Sequence, residues 1–200
     1  MKTKTTGRFL CVAAALASSV VALAVVSARA EMTTSDSTMQ EKTTTVGGAA
    51  MYPSKDIISN AVNSQDHTTL VAAVKAADLV ATLQGPGPFT VFAPTNAAFE
   101  KLPADTVPTL LKPENKATLS SILTYHVLPG YYTAKDLMLF IKNGNGKASI
   151  STVQGERLTF TRKKKVITIT DSKGGMSHIT IPDVLQSNGV IHVVDTVLMP

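Results

Sequence analysis

Cysteine is almost missing from this chain: the one residue, Cys11, lies in an N-terminal apolar stretch. Once that stretch is removed, no thiol remains for a disulfide framework, a thiolate metal site or a cysteine nucleophile. Histidine is scarce too, with four in 200 residues. His67 falls at a helix start, His126 on a helix, and His178 and His192 on strands, without the close pairing that a structural zinc site needs. No G-x-S-x-G elbow is present, which argues against serine-hydrolase chemistry. The glycine-rich pieces Gly85-Pro86-Gly87-Pro88 and Asn143-Gly144-Asn145-Gly146 have neither the P-loop lysine nor the dinucleotide fingerprint, and read as turns. No cluster of Asp and Glu suggests a glycosidase pair. His192 and Asp195 stand three apart on a strand, so alternation puts them on opposite faces. The expectation is a non-enzyme with no catalytic, cofactor or metal residues.

Excess charge is also largely absent. The formal net charge is +5, but residues 1–30 hold Lys2, Lys4, Arg8 and Arg29 and no acid. Without them, 15 basic side chains face 14 acidic ones, a net of +1. A near-neutral domain lacks the electrostatic footprint of a nucleic-acid binder.

What is present falls into three parts. Residues 1–30 have a basic start, an uncharged run from Phe9 to Ala28 and the small-x-small site Ala28-Arg29-Ala30. That order is a secretory signal peptide, the alternative being a retained membrane anchor. Cleavage near Ala30 would leave the protein exported, either periplasmic or extracellular. Residues 31–52, rich in Thr and Ser and without apolar periodicity, read as a flexible tether, either a spacer or an O-glycosylated stalk. Residues 53–200 form one domain, large enough to be held by a buried core alone.

Helical spacing opens this domain. Ser54 is placed to cap a helix presenting Ile57, Ile58, Ala61 and Val62, and Asp66 to cap a second carrying Leu70, Ala73, Val74 and Ala77. Leu79, Val80 and Leu83 extend it or add a turn. Phe89-Thr90-Val91-Phe92 reads as a strand stopped by Pro94, with Asn96 placed to cap the next turn. Leu119, Ile122, Leu123 and His126 share a helix face behind Pro113, and Thr133 with Asp136 makes a capping box. After Lys147 the period becomes two. Residues 158–161 and 166–170 predict a hairpin whose tip is Arg162-Lys163-Lys164-Lys165, and residues 178–181 and 190–194 predict further strands. Helices first and strands later indicate an α+β fold. The basic tip is either a solvated turn that protects an edge or a contact for an anionic polymer or headgroup.

Three blocks in a set order carry a family likeness: residues 87–99 (GPFTVFAPTNAAF), Tyr125-His126-Val127-Leu128-Pro129-Gly130, and residues 187–200 (SNGVIHVVDTVLMP). They resemble the two signature segments and the Tyr-His motif of the fasciclin (FAS1) domain, of the bacterial secreted type. The resemblance implies a wedge-shaped β-sandwich flanked by several short helices, with the strands at Phe89 and Val190 side by side. It also implies an exported, non-catalytic binding or adhesion module for cell-surface or matrix components, expected to be a monomer. In animal FAS1 proteins, adhesion is assigned to the Tyr-His region and to a Pro-Asp segment before the second signature. The matching positions here are Tyr125 and His126, and Pro182, Asp183, Val184 and Leu185. The alternative function is carriage of an apolar small molecule such as a carotenoid, in a groove lined by Val153, Leu158, Phe160, Ile179 and Ile181. Those residues serve a core equally well.

Overall fold

The computed structural model describes residues 43–200. The signal peptide expected at 1–30 and most of the 31–52 tether lie outside the described residues. A short hairpin comes first, β1 (Thr44–Val46) and β2 (Ala49–Met51), followed by helices α1 (Ile57–Ala61), α2 (Thr68–Ala76) and α3 (Val80–Gln84). Strand β3 (Phe89–Pro94) leads through α4 (Asn96–Glu100), α5 (Thr106–Leu110) and α6 (Lys116–Tyr125) to β4 (Val127–Pro129). Helix α7 (Ala134–Asn143) precedes β5 (Lys147–Ser151), β6 (Arg157–Lys163), β7 (Val166–Thr170), β8 (Met176–Gln186) and β9 (Gly189–Val194).

The large strands form one mixed seven-stranded sheet in the order β4-β3-β9-β8-β7-β6-β5. Strands β3 and β9 run parallel, from Phe89 opposite Gly189 to Pro94 opposite Val194. A parallel pair inside a domain is covered on both faces, and every residue of β9 is accordingly buried. Strand β8 is long enough to serve two layers. Its first part pairs with β7, and its second part, through two register shifts, pairs with β9. Bulges of this kind bend a strand and let a sheet fold over itself. Phe92 of β3 then meets Phe160 of β6 with ring centroids 5.6 Å apart. At the rim the Val153 N–H donates to the Val127 carbonyl (2.8 Å), so the sheet nearly closes. The fold is the α+β sandwich with short helices that the residues and the resemblance indicated.

Two large apolar cores follow from this layering, beside a small third cluster of Ala98, Ile122 and Val197. One lies between the sheet and the early helices, with Ile57, Leu70, Val74, Val91 and Val193 among its members. The other fills the sandwich beneath α7, with Phe92, Leu137, Leu158, Phe160, Ile169 and Leu198. Each fully buried side chain of this size contributes about 1.5–3 kcal/mol of transfer free energy.

Several local expectations need correction. Asp56, not Ser54, caps α1, accepting the Ser59 N–H at 2.8 Å. Asp66 sits inside a 3-10 turn and makes no cap. Thr95 caps α4, while Asn96 reaches back to accept the Thr69 N–H (3.1 Å) and donate to the Gln65 carbonyl (2.8 Å). The Thr133–Asp136 capping box forms as expected. The end of the expected tether is the β1–β2 hairpin, whose Val46 and Met51 are each buried in the first core. Tyr52 holds its base through reciprocal bonds with the Asn60 amide (3.1 and 2.8 Å).

Gly47 fastens the turn of this hairpin. Its backbone is left-handed (φ +56°), and a Cβ there would lie 2.4 Å from Ser64 Oγ and 2.7 Å from the Asp66 nitrogen. A Gly47→Ala substitution should therefore lift the hairpin while the sheet stays folded. Amide hydrogen exchange should show faster exchange across residues 44–51 and unchanged protection in β3 and β9. Unchanged exchange in the hairpin would contradict this role.

Candidate functional site

Of the two segments expected to carry adhesion, the first is internal. Tyr125 and His126 end α6 and face inward, at 0% and 3% exposure. The Tyr125 hydroxyl accepts the Ser172 N–H at 3.0 Å. His126 Nδ1 donates to the Ile122 carbonyl (2.8 Å), and Nε2 accepts the Leu198 N–H (3.0 Å). Both ring nitrogens are engaged, so this pair ties a helix end to the chain's last residues and offers nothing to a partner.

Asp183 lies elsewhere, half-buried on β8, in a left-handed conformation (φ 56°) uncommon outside glycine and more tolerated by Asp than by most residues. Neighbouring groups hold it there. Its carboxylate accepts the Ala134 N–H at 2.7 Å, at the start of α7, and its own N–H donates to His192 Nδ1 at 3.2 Å. That contact makes Nδ1 the acceptor and assigns the His192 proton to Nε2, which donates to the Tyr132 carbonyl at 2.8 Å. Thr90 completes the support: its hydroxyl donates to the Gly130 carbonyl (2.8 Å) and accepts the Tyr132 N–H (2.9 Å). Residues 130–133 and the Pro182-Asp183 turn are thereby joined through buried Thr90 and His192. Tyr131, 43% exposed, stands on this loop, with its phenol raised first by burial and then by the Asp183 and Asp136 carboxylates. Pro182 and Leu185 are exposed, whereas Val184 is buried in the first core.

Sequence reasoning missed exposed Tyr131 and the buried supports Thr90 and His192. The Tyr131-Tyr132 pair directly after the Tyr-His block was the available signal. His192 and Asp195 do not act together. Asp195 accepts the His178 N–H at 2.8 Å, with burial opposing and that bond favouring its ionised form.

Residues 162–165 form the tip of the β6–β7 hairpin. All four are exposed, Lys164 has φ 57°, and Arg162 Nε donates to the Lys164 carbonyl at 2.6 Å. None of them is in an ion pair among the described residues. The expected apolar groove does not exist as drawn. Leu158 and Phe160 are wholly buried, Ile179 is 9% exposed, Val153 lies on the surface and Ile181 packs at the edge of the other core. A separate apolar cavity of about 50 Å³ sits on the helix side of the sheet, with Val46, Met51, Ile58, His67, Leu83 and Val184 in its wall.

A Fasciclin domain model matches residues 65–200, and the chain belongs to that family. It is similar to protein sll1483 of Synechocystis sp., at 46% identity over 175 residues that cover 86% of each chain. It is also similar to the cell surface glycolipoprotein MPB83 of Mycobacterium bovis, at 35% identity over 160 residues, 78% of this chain and 64% of that one. Among solved structures, a FAS1 domain pair from the insect cell adhesion molecule fasciclin I superimposes with a TM-score of 0.66 at 22% identity. That match covers 74% of this chain and 52% of the other and shows the shared fold. The family is one of adhesion and secreted proteins without catalytic activity, and this protein is not an enzyme.

The buried histidines have a consequence for pH. Burial pulls His126 down to about 4, against weaker upward pulls from the Ile122 carbonyl and the Asp171 carboxylate. Burial lowers His192 as well. An unfolded histidine titrates near 6.5, so the folded state resists protonation. Stability should be complete above pH 6.5 and should fall as pH drops toward 4, with His126 alone contributing about 3 kcal/mol to the loss. Denaturant titrations from pH 7 to 4, with ring ¹⁵N shifts showing His126 neutral at pH 5, would check this. A flat profile would contradict it.

Proposed function

We propose that this protein is an exported binding and adhesion module that engages a cell-surface or matrix protein or polymer through residues 130–133 and 182–185. The observation that carries this reading is the buried support behind Asp183. His192 and Thr90 hold two surface turns in one arrangement, so Tyr131, Pro182 and Leu185 are presented at little further entropic cost on binding. Aromatic side chains held this way are common anchors of protein contacts. The role passes from Tyr125 and His126, which are internal, to Tyr131. The Arg162–Lys165 tip supplies a second, salt-sensitive contact for an anionic polymer. Similarity to a cell surface glycolipoprotein supports an envelope or extracellular location.

The test leaves the supports intact and alters only exposed side chains. Protein carrying Tyr131→Ser and Leu185→Ser should adhere to envelope preparations at least tenfold more weakly, a change of about 1.4 kcal/mol or more, with an unchanged melting temperature. Undiminished adhesion by this folded variant would contradict the assignment.

A second reading, carriage of an apolar small molecule, is supported by the cavity on the helix side of the sheet rather than by the groove first expected.

A further inference from the structure

His67 departs from the other buried histidines. It is 3% exposed, and Nδ1 lies 2.9 Å from Ser64 Oγ, but Nε2 is buried and makes no hydrogen bond of normal geometry, the Ala93 backbone being its one polar neighbour. An unpaired buried polar nitrogen is costly, and native structures rarely keep one without a reason. This ring lines the apolar cavity. The other imidazole in the wall, His126, has both nitrogens engaged, and the one charged lining residue, Lys75, is exposed.

A lone water is a poor occupant, since an ordered buried water needs two to four polar partners and the wall offers one open nitrogen. An apolar molecule with one polar end matches the wall better. Its body replaces nothing polar, and its head finds Nε2. Tautomerism selects the head group. If Nδ1 accepts from Ser64, Nε2 carries a proton to donate; if Nδ1 donates, Nε2 has a lone pair. A hydroxyl is both donor and acceptor and serves either form. A carboxylate serves only the first, and it would carry its charge into apolar surroundings.

We infer that the cavity is a binding site for an apolar molecule with a single hydroxyl, that His67 Nε2 bonds this hydroxyl, and that the β1–β2 hairpin is the lid of the site. The inference rests on the second reading above and adds the ligand class, the anchor and the route. The cavity of about 50 Å³ is far smaller than the several hundred Å³ typical of ligand pockets, so the body of the ligand is accommodated only when a wall moves. The hairpin is that wall. Val46 and Met51 contribute to it, and Gly47 docks on Ser64–Asp66 immediately before His67, with the Gln65 N–H donating to the Gly47 carbonyl at 3.1 Å. The Fasciclin match begins at residue 65, so the lid lies outside the matched segment.

The test uses 1-octanol and octane as probes on the whole chain. In the unmodified protein, octanol should shift the His67 Nε2 ¹⁵N resonance and octane should not. His67→Leu should lower the ratio of octanol to octane affinity about tenfold, the worth of one hydrogen bond. Gly47→Ala should speed octanol association. If both probes bind but the ratio and the Nε2 resonance do not move, the anchor is wrong while the carrier reading survives. If neither probe binds, both fail. If Nε2 proves bonded to a water that octanol does not displace, the inference is overturned even if the His67→Leu variant does not fold.

Discussion

The parallel pairing of β3 with β9 is the contact on which the rest of the domain depends. It joins residues a hundred positions apart, and its start is crowded: a Cβ on Gly189 would lie 2.1 Å from the Phe89 carbonyl oxygen. Asn188 explains the accuracy of that junction. Its carbonyl accepts the Phe89 N–H (3.1 Å), its amide donates to the Leu83 and Gly85 carbonyls (2.7 and 3.2 Å), and its Oδ1 accepts the Ile57 N–H (3.1 Å). One turn residue therefore connects α1, the end of α3 and β3 before β9 begins. Such long-range closure is entropically costly, and it holds only because the strands are then buried on both faces.

The remaining features are arranged around that pair. Phe92 and His192 are register partners and stack with centroids 5.7 Å apart, one leading to the sandwich core and the other to the surface turns at Asp183 and Tyr132. The same strands form the floor of the helix-side cavity through Val91, Ala93, Ile191 and Val193. One buried pair thus supports both the turns at Asp183 and Tyr132 and the wall of the helix-side cavity. Neutral, hydrogen-bonded histidines are what allow imidazoles so near the centre, and acid is the condition that removes this support.

Much of the fold was legible because it rests on local periodicity. The β6–β7 hairpin, the α6 face and the α7 capping box need only nearest neighbours along the chain. The pairing of residues 89–94 with 189–194 came from family likeness, since composition does not specify a parallel partner. Misreadings occurred where tertiary contacts overrule local chemistry. Asn96 has a cap-forming side chain but spends it on residues 65 and 69, and Asp56 outcompetes Ser54. The β1–β2 hairpin was missed because three-residue strands of Thr and Ala show no alternation, although Gly47-Gly48 marked its turn. Pro182-Asp183 matches a family motif, but the left-handed backbone of Asp183 and its bond to His192 depend on tertiary contacts that no local pattern shows. Tyr125-His126 carried the family's motif and proved to be packing.

Exchange protection and stability of a Gly189→Ala variant test the central pairing most directly. The added methyl must push β9 from β3, so amides in residues 89–94 and 189–194 should lose protection together, with a stability loss of about 3 kcal/mol or more. A variant within about 0.5 kcal/mol of the parent, or one in which only β9 exchanges faster, would contradict the claim that this junction holds the domain together.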